Sequence, residues 1–331
     1  MTSRWTGFHS PLKAGIEMFL AHKRALGYKV RSTESALRLL DCFLVQQHVE
    51  TVEAITPVVI EAFLASRPRT SPHSFNQLLE IVARLFDWLV ARDLVPRSPV
   101  QIKPRRTTAS RLPFLFDPPT ARRLLDAAEA LPDTRNTLRR GLTYRTIFAL
   151  LYGLGLRVSE VARLRLRDAD LPRQLLIVRE TKFAKSRLVP FGPRIGQLIA
   201  DYLDYRTASL GRAVLMADPP IFSFRKGQPV SPCTISTVFH ELVPQLALPV
   251  PDGTRPPCVH SLRHSFAVGT LLRWYRNGLD PGSRLLQLST FLGHVNPRST
   301  AVYLTITTDL LMEASQRFEN WAKPLIHQVT P

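Results

Sequence analysis

The chain has 331 residues, 45% of them hydrophobic, a length that suits about two domains and a composition that excludes a disordered chain. Its net charge of +18 exceeds what solubility asks for and points to a polyanionic partner, nucleic acid ahead of a membrane surface. The three cysteines, Cys42, Cys233 and Cys258, lie far apart, which argues against a disulfide framework or a Cys-x-x-Cys zinc site and fits a reducing cytoplasm. The first residues have no signal-peptide core, and no apolar run nears the roughly 20 residues of a membrane span, so no membrane partner is expected.

Helical spacing starts at 11–27, where Ile16, Phe19, Leu20 and Leu26 fall on one side and Gly27 offers a stop. A second helix is expected over 32–47, capped by Ser32 or Thr33, with Leu37, Leu40, Phe43 and Leu44 inward. Thr56-Pro57 has the cap-then-proline form of a helix start, and a fourth helix is expected from about Ser71 to Arg92. Residues 97–112 then hold five basic residues (Arg97, Lys103, Arg105, Arg106, Arg111) and no acid, in a proline-rich setting. This reads as an extended linker whose charge suits a phosphate backbone, or as a merely solvated hinge.

Further on, helices are expected after Asp117, over 137–153, in a short piece from Leu156 to Leu166, and over 193–206, 232–246, 260–276, 283–292 and 298–304. The sheet signal is confined to 174–179 and 187–191, joined by a basic turn that carries Lys182 and Lys185. A last helix over 308–322 would carry Leu310, Leu311, Ala314, Phe318 and Trp321. The expected architecture is mainly α-helical with a small antiparallel β-sheet. Residues 1–104 form a four-helix domain, 105–331 the second domain, and the linker lies at about 97–112.

The chemistry concentrates between His260 and Tyr303. His260 and His294 are candidate proton-transfer groups, Arg263 a permanent cation, and Tyr303 a phenol that needs a base and a polarised target to act as a nucleophile. An arginine beside a histidine suits a phosphate target, because guanidinium donates two parallel hydrogen bonds. Arg157 follows a glycine-bracketed turn (Gly153, Gly155), and Lys182 sits at a hairpin tip that can reach into a groove. Each of these residues also has an ordinary structural reading. His260 and His264 have the i, i+4 spacing of a zinc pair, but Ser261 stands where the His-Glu-x-x-His motif needs its glutamate, and Arg263 would repel a cation.

Taken in order, Leu156-Arg157-Val158-Ser159-Glu160, Lys182, His260-x-x-Arg263-His264, Leu292-Gly293-His294 and Tyr303 resemble the tyrosine recombinases, the phage integrase family. The resemblance covers the second domain. The N-terminal helices are more loosely similar to that family's core-binding, SAM-like domain. It implies a site-specific recombinase in which Tyr303 attacks a DNA phosphodiester and leaves a 3′-phosphotyrosyl link. Arg157 and Arg263 would hold the phosphate, His260 would help take the tyrosine proton, Lys182 would protonate the departing 5′-oxygen, and His294 would bond the phosphate. It further implies double-stranded DNA as partner, a homo-tetramer on two DNA sites, and no cofactor. Lys103, Arg105, Arg106, Arg111, Lys185 and Arg187 are expected DNA contacts. A non-catalytic DNA-binding accessory protein and a type IB topoisomerase-like relaxing activity remain alternatives. One departure is a longer segment at Leu272–Asp280, which includes Trp274 and a rival tyrosine, Tyr275. The nine-residue step from His294 to Tyr303 is kept.

Overall fold

The computed structural model describes residues 7–107, 111–135, 137–179, 186–214, 218–225, 228–294, 296–305, 311–313 and 315–316. The chain divides into two compact units, Met1–Ser110 and Arg111–Pro331.

The first unit holds four helices: α1 (Lys13–Ala25), α2 (Arg31–Gln46), α3 (Pro57–Ala65) and α4 (Pro72–Val90). α3 and α4 each start with proline after an extended Thr56 or Ser71, because proline has no N–H to leave unsatisfied and its φ already suits a helix. Their apolar stripes meet in one core that contains Ile16, Leu37, Leu44, Ile60, Phe63, Val82 and Phe86. Asp41 is buried in it, and its carboxylate accepts the backbone N–H groups of His9 and Ser10, the latter at 2.8 Å. That contact pins the entry strand onto α2.

Two expectations change here. α2 begins at Arg31 with no side-chain cap, so neither Ser32 nor Thr33 caps it. Leu26 lies past the end of α1 and is exposed, so it is not part of the inward stripe. The segment expected to be a linker is also no loose tether through Arg105. Val100 and Ile102 pack against the first core, and Arg105 exchanges backbone bonds with the Asn76 side chain of α4 at 2.7 and 2.8 Å. The Arg105 guanidinium lies 3.8 Å from the centre of the Phe75 ring and donates to the Arg69 carbonyl. By compactness the division falls after Ser110, within the stretch expected as linker.

The second unit is built on α6 (Arg140–Gly153), which is buried on nearly every face and packs against α5 (Pro118–Glu129), α8 (Pro193–Val214) and α10 (Val259–Arg276). Between α6 and α8 come the short α7 (Val158–Arg163) and a three-stranded antiparallel sheet of β1 (Ala169–Asp170), β2 (Leu175–Val178) and β3 (Arg187–Pro190). Register is set with Leu176 opposite Val189. A second ribbon pairs β4 (Ser223–Arg225) with β5 (Gln228–Pro229). β1, β4 and β5 escaped the sequence reading because strands of two or three residues are too short to show alternation. α9 (Pro232–Leu242), α11 (Pro281–Leu292) and α12 (Arg298–Ala301) complete the unit, and a 3-10 turn at Val302–Thr305 carries Tyr303. Among the described residues no helix is long and apolar enough to cross a membrane.

The long segment after His260 extends α10 to Arg276 and then turns at Gly278. Trp274 and Tyr275 pack against a small cluster made by Val268, Leu271, Leu288, Leu292 and Tyr303, which is a structural place for the rival tyrosine. Of the last expected helix, Leu310, Ala314, Phe318 and Trp321 lie outside the described residues, and Leu311 is exposed.

The strand ahead of α5 is tied to α10 by one buried bond: Phe116 N–H donates to Ser265 Oγ at 2.7 Å. Ser265→Ala leaves that N–H unsatisfied and is expected to cost about 1–3 kcal/mol. The exposed Ser236→Ala, which removes a bond within α9, is the control. Urea unfolding midpoints of the two variants check this, and equal midpoints would refute it.

Candidate active site

The site forms where α7, β3, α10 and the end of α11 converge. α11 stops at Gly293, whose φ of +69° is the left-handed turn that glycine allows. His294 N–H bonds Ser289 O and Gly293 N–H bonds Thr290 O, which leaves the next three carbonyls open. Each takes an arginine from a different element. Phe291 O accepts from Arg187 Nε at 2.8 Å, Leu292 O from Arg263 Nη2 at 2.7 Å, and Gly293 O from Arg157 Nη2 at 2.9 Å. A helix C-terminus carries unpaired carbonyls and partial negative charge, so it is a natural seat for cations.

Gly155 is the second fixed point. Its φ is +59°, and a Cβ there would lie 2.5 Å from Phe266 and 2.9 Å from Leu292. Its carbonyl accepts from Arg263 Nη1 at 2.6 Å. Arg263 is 1% exposed and is held by two carbonyls, and among the described residues it has no carboxylate partner and its Nε no hydrogen-bond partner. Burial first, and the charge of Arg157 second, disfavour its cation. A guanidinium stays charged all the same, so the site holds a charge that an incoming anion can satisfy.

Glu160 is the counter-charge. Its side chain is 1% exposed and accepts both Arg187 Nη atoms at 2.9 Å, Arg157 Nη1 at 2.7 Å and the Arg157 N–H at 2.9 Å. Burial pushes this carboxyl up, but the bonds and charge of Arg187, then those of Arg157, outweigh it and hold the pKa at about 2.

Tyr303 is 4% exposed, and its hydroxyl lies 2.8 Å from His264 Nδ1. Burial pushes the phenol above its ordinary value, and the charges of Arg263 and Arg157 pull the other way. His260 packs edge-on to His264, ring centres 4.5 Å apart, and His294 stacks on Tyr303 at 6.4 Å. His294 Nδ1 pairs with the hydroxyl of buried Thr300 at 2.7 Å. All three histidines are pushed down to about 4. Protein surroundings come first in each case. Arg263 and Arg157 follow for His260 and His294, and His260 and Arg263 for His264. His260 is exposed as a residue, and Arg263 and Arg157 add to the same downward shift. At neutral pH these imidazoles are uncharged and each has one ring nitrogen that can accept a hydrogen bond.

The arrangement is therefore an anion seat with a phenol and three neutral imidazoles beside it, and residues 117–309 match the phage integrase family. The chain belongs to that family. This tyrosine recombinase is 34% identical over 315 residues to the putative integrase/recombinase y4rB of Sinorhizobium fredii, covering 94% of this chain and 98% of that one. It is 28% identical over 265 residues to the tyrosine recombinase XerC of Pelobacter propionicus, with 80% and 79% covered. In fold it resembles the Tn1549 transposon integrase, solved with circular intermediate DNA, with a TM-score of 0.64 at 17% identity and 92% and 99% of the chains covered. It is a site-specific recombinase, an enzyme that cuts and rejoins DNA strands through a tyrosine.

Of the residues expected from sequence, the recombinase brings Arg157, His260, Arg263, His294 and Tyr303 together. Lys182 and Lys185 lie outside the described residues. Lys103, Arg105 and Arg106 sit exposed on the first unit and Arg111 on the second. Arg187 is a correction. Each of its three nitrogens bonds Glu160 or Phe291 O and its side chain is 9% exposed, so it braces the site from within. Glu160, His264 and Thr300 received no role from the sequence. The first two were visible inside motifs, but a partner far along the chain is what gives each its job. Thr300 had no signal beyond lying one helical turn before Tyr303.

Acid should unfold the recombinase in two stages. The histidines have folded pKa values below the ordinary 6.5, so the unfolded chain binds those protons first and stability falls from about pH 6.5 through 4. Glu160 is depressed from 4.5 to about 2, so its contribution is present above 4.5 and is lost as pH falls through 2. Glu160→Gln should lose the lower limb and be less stable at pH 7 by about 3–5 kcal/mol, the cost of breaking a buried pair. Urea midpoints measured from pH 7 to 2 check both statements, and a variant with the wild-type acid profile would contradict the second.

Proposed function

We propose that the site carries out recombination with Tyr303 as nucleophile on the scissile phosphate of double-stranded DNA. The observation that supports this most is Arg263: a buried guanidinium with only carbonyl partners, one idle N–H, and a buried phenol within reach of its charge. A phosphodiester supplies the missing anion. Arg263 and Arg157 then hold its non-bridging oxygens and stabilise the charge that develops as the phenol attacks, in an arrangement already organised to do so. His294 bonds the phosphate, and His260 helps to draw off the phenol proton. Lys182 protonates the 5′-oxygen as it leaves. The 3′-phosphotyrosyl bond keeps the energy of the broken phosphodiester, so rejoining needs no nucleotide.

Lys103, Arg105 and Arg106 of the first unit, and Arg111 and Lys185 of the second, contact the DNA backbone. The first unit is the core-binding module. Strand exchange between two sites calls for four protomers, so the working form is a homo-tetramer on two DNA sites, acting in the cytoplasm where the DNA is.

A nicked suicide substrate tests the nucleophile. The wild type should give a covalent protein–DNA band on a denaturing gel, in the presence of chelator, and Tyr303→Phe should bind DNA and give none. A band from Tyr303→Phe would remove Tyr303 from the reading. For the backbone contacts, Lys103→Ala and Arg106→Ala should each weaken binding to all sequences alike and lower the slope of log affinity against log salt by about 1. Binding isotherms at several salt concentrations measure this, and an unchanged slope would take either residue off the DNA.

A further inference from the structure

We propose that His264, through Nδ1, is the direct acceptor of the Tyr303 proton in strand cleavage and returns that proton in rejoining. The inference rests on the reading of Tyr303 as nucleophile and assigns a role that His260 and His294 do not fill geometrically. The Tyr303 hydroxyl is 2.8 Å from His264 Nδ1, with the rings 5.5 Å apart. His294 Nδ1 is committed to Thr300. His260 stands one ring further out, edge-on against His264.

A phenol in this bond donates, so Nδ1 carries the lone pair and the His264 proton sits on Nε2. The groups that act on His264 are His260 and Arg263 on α10, Arg255 on the segment before α10, and His294 beyond α11. All of them favour the neutral ring, so the acceptor is available at neutral pH. The spacing behind this is simple. His260 and His264 are one helical turn apart and face the same way, and Arg263, one residue before His264, points instead at the carbonyls of Gly155 and Leu292.

In cleavage the bond from Tyr303 Oη to phosphorus forms and the bond from phosphorus to O5′ breaks. The phenol proton passes to His264 Nδ1, and O5′ takes a proton from Lys182. The imidazolium so formed is tolerated because the phosphate's negative charge now faces Arg157 and Arg263. In rejoining, the 5′-hydroxyl attacks phosphorus and returns its proton to Lys182, the bond from phosphorus to Tyr303 Oη breaks, and His264 gives its proton back to the phenol.

The test is the single-turnover rate of the covalent adduct on a suicide substrate, with DNA binding followed in parallel by gel shift. His264→Asn keeps an acceptor near the Nδ1 position but takes up no proton, and His264→Gln is the second variant should Asn fold poorly. Either is expected to slow the adduct about 100-fold, within the usual range for losing a general base, with binding unchanged. A substrate with sulfur in place of O5′ needs no proton on its leaving group. It should not rescue these variants, whereas it should rescue Lys182→Ala. Wild-type rates in both His264 variants, or their rescue by the sulfur substrate, would overturn the assignment while Tyr303→Phe stayed inactive. An adduct from Tyr303→Phe would instead bring down the reading on which the proposal rests.

Discussion

The end of α11 is the point from which the catalytic unit is laid out. Three successive carbonyls, on Phe291, Leu292 and Gly293, hold Arg187 from β3, Arg263 from α10 and Arg157 ahead of α7. No other local feature touches all three elements so directly. The physics is that of any helix terminus, where unpaired carbonyls and the dipole both favour cations. What makes it specific is Gly293. Its left-handed turn aims the carbonyls outward, and any Cβ there would come within 2.8 Å of Arg187 Nη1. A helix that ended one residue earlier or later would misplace every guanidinium at once.

The same geometry leaves the site with more positive charge than the protein neutralises. Glu160 is shared by Arg157 and Arg187, and Arg263 has only carbonyls. Among the described residues, three guanidiniums against one carboxylate is poor design for stability, because a buried unpaired charge is costly. On the proposed reading it is sound design for a seat that holds a phosphodiester without rearrangement. The depressed histidines belong to this account. His260 and His294 feel Arg263 and Arg157 directly, and the field that waits for phosphate also keeps both rings neutral.

Much of this was legible in the residues, for identifiable reasons. Long helices such as α4 and α10 declared themselves by period, and the ordered set from Arg157 to Tyr303 carried the family. What stayed hidden was partnership between distant residues. Arg187 reads as one more basic residue on a hairpin until Glu160, 27 residues earlier, is seen to take both of its Nη atoms. Arg105 reads as linker charge until Asn76 and Phe75 are seen to hold it. His264 reads as the neighbour of a catalytic arginine until Tyr303, 39 residues on, is found against its Nδ1. Short strands were missed for a different reason: pairing defines them, and pairing leaves no pattern in two residues.

The site restrains its own nucleophile. Burial holds the Tyr303 phenol above its ordinary value, and the surroundings hold the three histidines below theirs. On the proposed reading, a phosphodiester between Arg157 and Arg263 would change both with one charge. It offsets the guanidiniums that depress His260, His264 and His294, so each ring becomes a better base. It also supplies the electrophile that turns a deprotonated phenol from a liability into a bond. On that reading the substrate strengthens the base it needs, which gives a strand-cutting enzyme a reason not to activate its nucleophile away from DNA. That coupling needs no moving part: it follows from placing three imidazoles within the field of two arginines that have too few anions of their own.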